Sequence, residues 1–108
     1  MMKIAAAVEE NLGLDSPIAF RFARAPYFVI YDTETGSLEF ISNPYSMQGR
    51  GVGPAVVQML ASKGVKKVIV PSIGPNAQSA LSYLGIEIVI VPSGTPLRQA
   101  LRAAGVNV

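Results

Sequence analysis

The first 42 residues carry the apolar pattern of β-strands. Residues 3–8 (KIAAAV) form a short apolar run typical of a strand buried on both faces, although the three alanines also suit a helix. Residues 27–32 (YFVIYD) are aromatic and β-branched, and residues 38–42 (LEFIS) alternate apolar with polar side chains after the turn sequence TETGS. This pattern predicts a strand β1 (3–8), followed by a hairpin of β2 (27–32) and β3 (38–42).

The second half repeats a unit that begins on proline and ends on glycine. Three prolines, 21 residues apart, each begin a segment with apolar residues at three- and four-residue spacing. Because proline favours the first helical position and glycine the position after the last, we predict helices α1 from Pro54 to Gly64, α2 from Pro75 to Gly85 and α3 from Pro96 to Gly105. The predicted inward-facing residues are Val56, Val57, Leu60, Ala77, Leu81, Leu84, Leu97, Ala100, Leu101 and Ala104.

Two apolar runs lie between these helices, at residues 66–71 (KKVIVP) and 86–92 (IEIVIVP). Both are typical of parallel strands covered on both faces, β4 and β5. The predicted order is β1-β2-β3-α1-β4-α2-β5-α3. We therefore expect an α/β fold, a ribonuclease H-like three-layer domain with a mixed five-stranded sheet of order 3-2-1-4-5, and the 108 residues suit a single domain over 1–108.

The composition excludes several classes of function. The chain has no cysteine and no histidine, which removes disulfides, thiolate or imidazole metal ligands, and catalysis by either side chain. A net charge of +2 without a basic block gives no sign of a nucleic-acid surface, and no apolar run is long enough to span a membrane. The amino-terminal run is too short for a signal peptide, so we expect a cytoplasmic protein without membrane contact.

Catalysis is also not expected. The seven acidic residues are scattered, with Glu34 in the hairpin turn and Glu39 on an exposed strand face, whereas a two-metal nuclease needs several that converge. The sequence also shows no pair of nucleophile and base. We therefore expect no catalytic residue, no metal-ligating residue and no enzyme activity.

Candidate binding residues cluster in loops that follow the predicted parallel strands, at 9–26, 71–77 and 92–96, and in the stretch SMQGRGVGP before α1. Alternate glycines let main-chain amides approach an anion, and the start of α1 adds the positive end of its dipole. The same glycines could instead serve a tight turn and close packing, since their spacing matches no phosphate motif. Likewise, the arginines of the 9–26 loop could be solvated and the asparagine after Pro75 could serve the first turn of α2. The predicted site residues are Arg21, Arg24, Gly49, Arg50, Gly51, Gly53, Gly74 and Asn76.

Three segments together resemble the dinitrogenase iron–molybdenum cofactor-binding family, which includes NifX-like proteins and the end of NifB proteins. They are KIAAAVEENLGLDSPIAFRFARAPYFVIYD, NPYSMQGRGVGPAVVQMLASKGVKKVIV and IGPNAQSALSYLGIEIV, which cover almost the whole chain. The resemblance implies a ribonuclease H-like fold that binds or carries an iron–sulfur or iron–molybdenum cluster during cofactor assembly, without being an enzyme.

The sequence departs from the family pattern at Arg21, where many members have histidine, and at Ala23, where they have glycine. With no cysteine or histidine, a cluster could be held only as an anion, by loop amides and by Arg21, Arg24 and Arg50. We expect no tightly bound cofactor, a transient cluster or similar bulky anion as ligand, and a protein partner in cofactor assembly. The alternative is a small regulatory or interaction protein that has lost cluster binding and uses the same loop edge for a protein partner or a nucleotide.

Overall fold

The computed structural model describes residues 2–108, which form one five-stranded sheet with helices on both faces. The strands are β1 (Lys3–Val8), β2 (Tyr27–Asp32), β3 (Leu38–Ser42), β4 (Val65–Val70) and β5 (Glu87–Ile90). The helices are α1 (Val52–Ser62), α2 (Pro75–Tyr83) and α3 (Leu97–Ala103), with a 3₁₀ turn at Gly13–Asp15. Over these residues, no helix combines the length and apolar character needed to cross a membrane.

The sheet has the order β3-β2-β1-β4-β5, which confirms the prediction. β2 is antiparallel to β1 and β3 is antiparallel to β2, so β3 points the same way as β1. β4 is parallel to β1, and β5 to β4. The carboxyl ends of β1, β3, β4 and β5 therefore lie along one edge of the sheet, called here the carboxyl edge.

Each face of the sheet builds its own apolar core. Ala5 and Ala7 of β1 point toward α1 and α2, whereas Ile4, Ala6 and Val8 point toward α3. The alanines that also suited a helix thus form a central strand, because β1 is paired on both sides and both its faces are covered. The three layers place α1 and α2 together on one side, with α3 alone on the other.

Three details of the elements differ from the predictions. β5 lies at the edge of the sheet as predicted, but it is not covered on both faces, since its four residues are half-buried or exposed and Ile90 is 62% exposed. α1 begins at Val52, two residues before Pro54, because Gly51 takes a left-handed conformation and ends the preceding loop there. Leu84, predicted to face inward, is half-buried and lies just beyond α2.

Candidate functional site

A solvent-open cavity of about 390 Å³ lies at the carboxyl edge, called here the edge cavity. It is enclosed by residues 21–24 of the loop after β1, residues 51–54 at the start of α1, and residues 72–77 between β4 and α2. The volume falls within the range of small-ligand sites, roughly 300–1,000 Å³. The predicted site residues in its lining are Arg21, Arg24, Gly51, Gly53, Gly74 and Asn76.

Two predicted residues and one predicted loop lie elsewhere. Gly49 and Arg50 are exposed and do not line the edge cavity; they belong to the segment 46–50, called here the glycine loop. The loop after β5, at 92–96, also takes no part in the lining. Its amide of Gly94 donates to the Ile18 carbonyl at 2.8 Å, and Thr95 accepts from the Ile18 amide at 2.9 Å, so this loop is held by the opposite, α3-facing part of the chain.

The starts of two helices meet at the edge cavity. Neither α1 nor α2 has a side-chain cap or an acidic residue in its first turn. The first amides of a helix have no partner within it, so those of Val52 and Gly53 in α1, and of Asn76 and Ala77 in α2, are left for water or a ligand. Both helices also bring the positive ends of their dipoles to one place, which favours a negative charge there.

Gly53 sets how closely the two helix starts approach. A Cβ built on Gly53 would lie 3.3 Å from the Ala77 Cβ and 3.7 Å from the Ala77 nitrogen, so only glycine lets the two backbones come this near without a shift. Gly51 has a different reason, because its φ of 70° is a conformation that L side chains rarely adopt. For these two glycines, the structural explanation is sufficient.

At Gly74 and Gly49, neither close packing nor a positive φ explains why the residue is glycine. Gly74 has an extended backbone, with φ −79° and ψ 164°, which any residue adopts before a proline. A Cβ on either glycine would meet no atom within 4 Å, and neither has a positive φ. Gly74 lines the edge cavity while Gly49 does not. The absent side chain at Gly74 therefore leaves open space at the cavity wall that the fold itself does not require.

The two arginines of the lining are used differently. The Arg24 guanidinium donates to three main-chain carbonyls of the glycine loop, with Nη1 at 2.7 Å from the Gln48 oxygen and 3.4 Å from that of Ser46, and Nη2 at 3.0 Å from that of Gly49. Arg21 is exposed and, among residues 2–108, makes neither a hydrogen bond through its side chain nor an ion pair. The lining includes no acidic residue. Arg21 is therefore the charge available to a ligand.

Asn43 positions the loops and was not predicted as a site residue. It is 6% exposed, and its Nδ2 donates to the carbonyls of Ala23 at 2.8 Å and Ala25 at 2.9 Å. Its Oδ1 accepts from the Tyr45 amide at 2.9 Å. Asn43 thus ties the arginine-bearing loop to the segment that leaves β3. The sequence signal was Asn43 before a proline, a turn signature that does not reveal the distant partners.

A second concavity of about 290 Å³ adjoins the edge cavity and shares Arg21 and Arg24 with it. Its other lining residues are Glu9, Phe20 and Ser46. Phe20 is 72% exposed and Met47, next to Ser46, is 93% exposed. The concavity therefore combines one exposed aromatic side chain with charged side chains of both signs.

The donor set of the edge cavity suits an anion rather than a bare metal ion. In the part of the chain that the structure describes, no three acidic side chains come together in a way that could hold a metal, and the sequence supplies neither cysteine nor histidine. The lining offers main-chain amides, the Arg21 guanidinium, the Ser72 hydroxyl and the Asn76 amide. These groups hydrogen-bond to the outer atoms of a negatively charged ligand.

Comparison with known proteins places this geometry in a family. The chain is 33% identical to the orange protein of Desulfovibrio gigas, whose apo form has been solved, with a TM-score of 0.87 over 94% of this chain and 85% of that one. It is 37% identical to a putative NifB protein from Thermotoga, with a TM-score of 0.81 over 97% of this chain and 88% of that one. No curated protein is significantly similar to it. Residues 2–106 match the dinitrogenase iron-molybdenum cofactor family, and the chain belongs to that family.

Proposed function

We propose that this protein binds and carries a preassembled anionic metal–sulfur cluster, of the iron–molybdenum or iron–sulfur type, in the edge cavity, and that it catalyses no reaction. The observation that carries the proposal is the convergence of two uncapped helix starts and the unpaired Arg21 on one cavity whose lining contains no acidic side chain. Family membership supports a metal–sulfur cluster as the cargo. The putative NifB relative supports a place in cofactor assembly.

The mode of binding follows from the donor set. Without thiolate or imidazole ligands, the protein holds the cluster by its outer sulfur atoms, through hydrogen bonds from amides and the guanidinium. Such contacts form and break without ligand exchange at a metal. This is the property that a carrier needs, since cargo bound in this way can be released to a partner.

Direct titration tests the proposal. The probes are tetrathiomolybdate, a thiolate-capped cubane iron–sulfur cluster, orthophosphate and adenosine monophosphate, each added anaerobically to the purified protein and followed by absorbance and calorimetry. We expect saturable binding of at least one metal–sulfur anion, with an affinity that falls as salt rises. Binding of iron or zinc ions alone, with no affinity for either metal–sulfur anion, would contradict the proposal.

One observation favours the second candidate, a regulatory or interaction protein that has lost cluster binding. Phe20 is exposed in the concavity that adjoins the edge cavity, and Met47, which follows Ser46 of that lining in the chain, is exposed as well, so a protein partner could dock there. In that case neither tetrathiomolybdate nor the cubane iron–sulfur cluster binds. Binding of adenosine monophosphate alone would then favour the nucleotide version of this alternative.

A further inference from the structure

The glycine loop has few contacts that could hold it in place. Its residues 47–50 are all exposed, so burial contributes little to holding it. Apart from the bonds with Arg24, its hydrogen bonds are local: the Ser46 amide donates to the Asn43 carbonyl at 3.4 Å, the Gln48 amide to the Tyr45 carbonyl at 3.0 Å, and Gln48 Nε2 to the Arg50 carbonyl at 2.7 Å. Within residues 2–108, the hydrogen bonds that join this loop to a distant part of the chain all come from Arg24.

We propose that Arg24 is a positioning residue, which fixes the glycine loop beside the edge cavity, and that Arg21 supplies the charge that a bound anion meets. This inference rests on the proposed function where it concerns binding. The position of the glycine loop is a property of the ligand-free protein and is tested in that state.

The use of the donors supports this division of roles. Arginine has five N–H donors in a planar fork, and the Arg24 guanidinium already makes three hydrogen bonds to the loop carbonyls. Those carbonyl dipoles partly offset its charge. The Arg21 fork, three residues earlier on the same cavity wall, keeps all its donors for water or a ligand.

The position of Arg24 is itself fixed from behind. The carbonyls of Ala23 and Ala25, on either side of it, both accept from the buried Asn43 side chain. Asn43 immediately follows β3 and precedes the segment that carries the glycine loop. The backbone on both sides of Arg24 is therefore hydrogen-bonded to the residue that follows β3, and through Arg24 this anchored backbone is joined to an otherwise exposed loop.

Four variants separate positioning from charge: R24K, R24Q, R21K and R21Q. Lysine keeps the charge but lacks the planar fork that reaches several carbonyls at once, so it replaces arginine poorly at a bridging position and better at a purely electrostatic one. We expect both R24K and R24Q to loosen the loop to a similar degree. Both Arg21 variants leave the loop unchanged.

The first measurement is the NMR relaxation order parameters of backbone amides 47–50 in the ligand-free protein. For both Arg24 variants we expect values below ~0.6, the flexible range, against higher values in the wild type and both Arg21 variants. An R24Q protein with a wild-type loop, or an R24K protein that retains wild-type order, would overturn the assignment. The rest of the amide spectrum shows whether each variant is folded.

The second measurement is affinity for tetrathiomolybdate and the cubane iron–sulfur cluster as a function of salt. R24K and R24Q should lose similar affinity, with a salt dependence close to wild type. R21Q should lose both affinity and salt dependence, and R21K should retain most of each. Recovery of affinity in R24K but not R24Q would show that Arg24 acts through charge. If the wild type binds neither anion, the proposed function fails, while the order parameters still decide the positioning of the loop.

Discussion

Arg21 and Arg24 stand three positions apart in one loop, and the local sequence around them assigns them no different roles. The structure separates them because the partners of Arg24 are main-chain carbonyls of residues more than twenty positions away. Main-chain acceptors exist at every position and leave no signature in the sequence. Six of the eight predicted residues line one cavity, and strand direction was enough to predict that they lie at the same edge of the sheet. The hydrogen bonds from Arg24 to the glycine loop could not be predicted in this way.

Arg21 gives the first prediction. Replacing Arg21 by glutamine should weaken binding of the cubane iron–sulfur cluster by roughly 1.5–3 kcal/mol, the range for a hydrogen bond to a charged group, and should flatten its salt dependence. Calorimetric titration at several salt concentrations measures both effects. The matched control is Arg102→Gln, which removes the same charge from α3, where the side chain contacts the Val108 carbonyl. Equal losses in the two variants would mean that only net charge matters.

Gly74 gives a prediction in which stability and binding separate. A methyl group at Gly74 has room and an acceptable backbone, so Gly74→Ala should change the free energy of unfolding by less than about 1 kcal/mol. The same methyl group lies at the wall of the edge cavity, where it keeps an anion from the first amides of α2. We expect a loss of about 1 kcal/mol in binding, the scale of one net hydrogen bond.

Gly49→Ala is the control for Gly74→Ala, since Gly49 also has open space and no positive φ but lies outside the cavity lining. It should leave affinity for the metal–sulfur anions unchanged. Titration and urea unfolding of the two variants side by side measure the difference. A Gly74→Ala protein that binds as well as Gly49→Ala would show that no ligand approaches this wall.

At the scale of elements, the sequence was sufficient to locate a helix wherever residues at its own ends mark its start and stop. The 21-residue spacing of prolines, with glycine closing each unit, located all three helices, and α2 begins at Pro75 as predicted. The predicted sheet order places β5 at the edge, but its partial exposure was missed, because an apolar run of four to seven residues looks the same whether one face of the strand or both are covered. The exposure of β5 arises because no further strand pairs with its outer side, and the residues of β5 themselves do not encode this.

The contact between α1 and α2 is the element-scale feature that shapes the edge cavity. Gly53→Ala places a Cβ 3.3 Å from that of Ala77, so the helix starts must shift by a few tenths of an ångström. Overpacking of this kind costs roughly 1–3 kcal/mol in unfolding free energy, and the higher helix propensity of alanine offsets up to about 1 kcal/mol of that cost. Ala77→Gly removes the opposing methyl group and should recover part of that loss in the double variant, although glycine itself costs up to about 1 kcal/mol in a helix.

A double-mutant cycle by urea unfolding measures this coupling, and the same four proteins can be titrated with tetrathiomolybdate. We expect the double variant to be more stable than the sum of the two single changes, and to bind better than Gly53→Ala alone. Strict additivity would show that the two residues do not limit the approach of α1 and α2.

At the scale of the whole molecule, only one of the two apolar cores supports the elements that form the edge cavity. The edge cavity is built by α1, α2 and the loops on their side, whereas α3 covers the other face and lies outside the lining. The sequence predicted three layers but placed the loop before α3 at the same site. Strand direction does bring that loop to the carboxyl edge, yet its hydrogen bonds to Ile18 hold it on the α3 side.

This division predicts that equal damage to the two cores has unequal effects on binding. Leu81 of α2 and Leu101 of α3 are both fully buried, so truncating either to alanine should lower the free energy of unfolding by roughly 2–5 kcal/mol. Leu81→Ala loosens a helix whose first turn lines the edge cavity and should therefore also weaken anion binding. Leu101→Ala leaves that helix in place and should bind as the wild type does.

Urea unfolding with and without tetrathiomolybdate measures both effects in one experiment. A ligand at 100 times its dissociation constant stabilises a folded protein by about 2.7 kcal/mol, so an unweakened site in Leu101→Ala gives the same increment as in the wild type. In Leu81→Ala the increment should be smaller at the same ligand concentration. Equal increments in both variants would mean that the site is insensitive to the packing of α2, and that the cavity between the two helix starts is not where the anion binds.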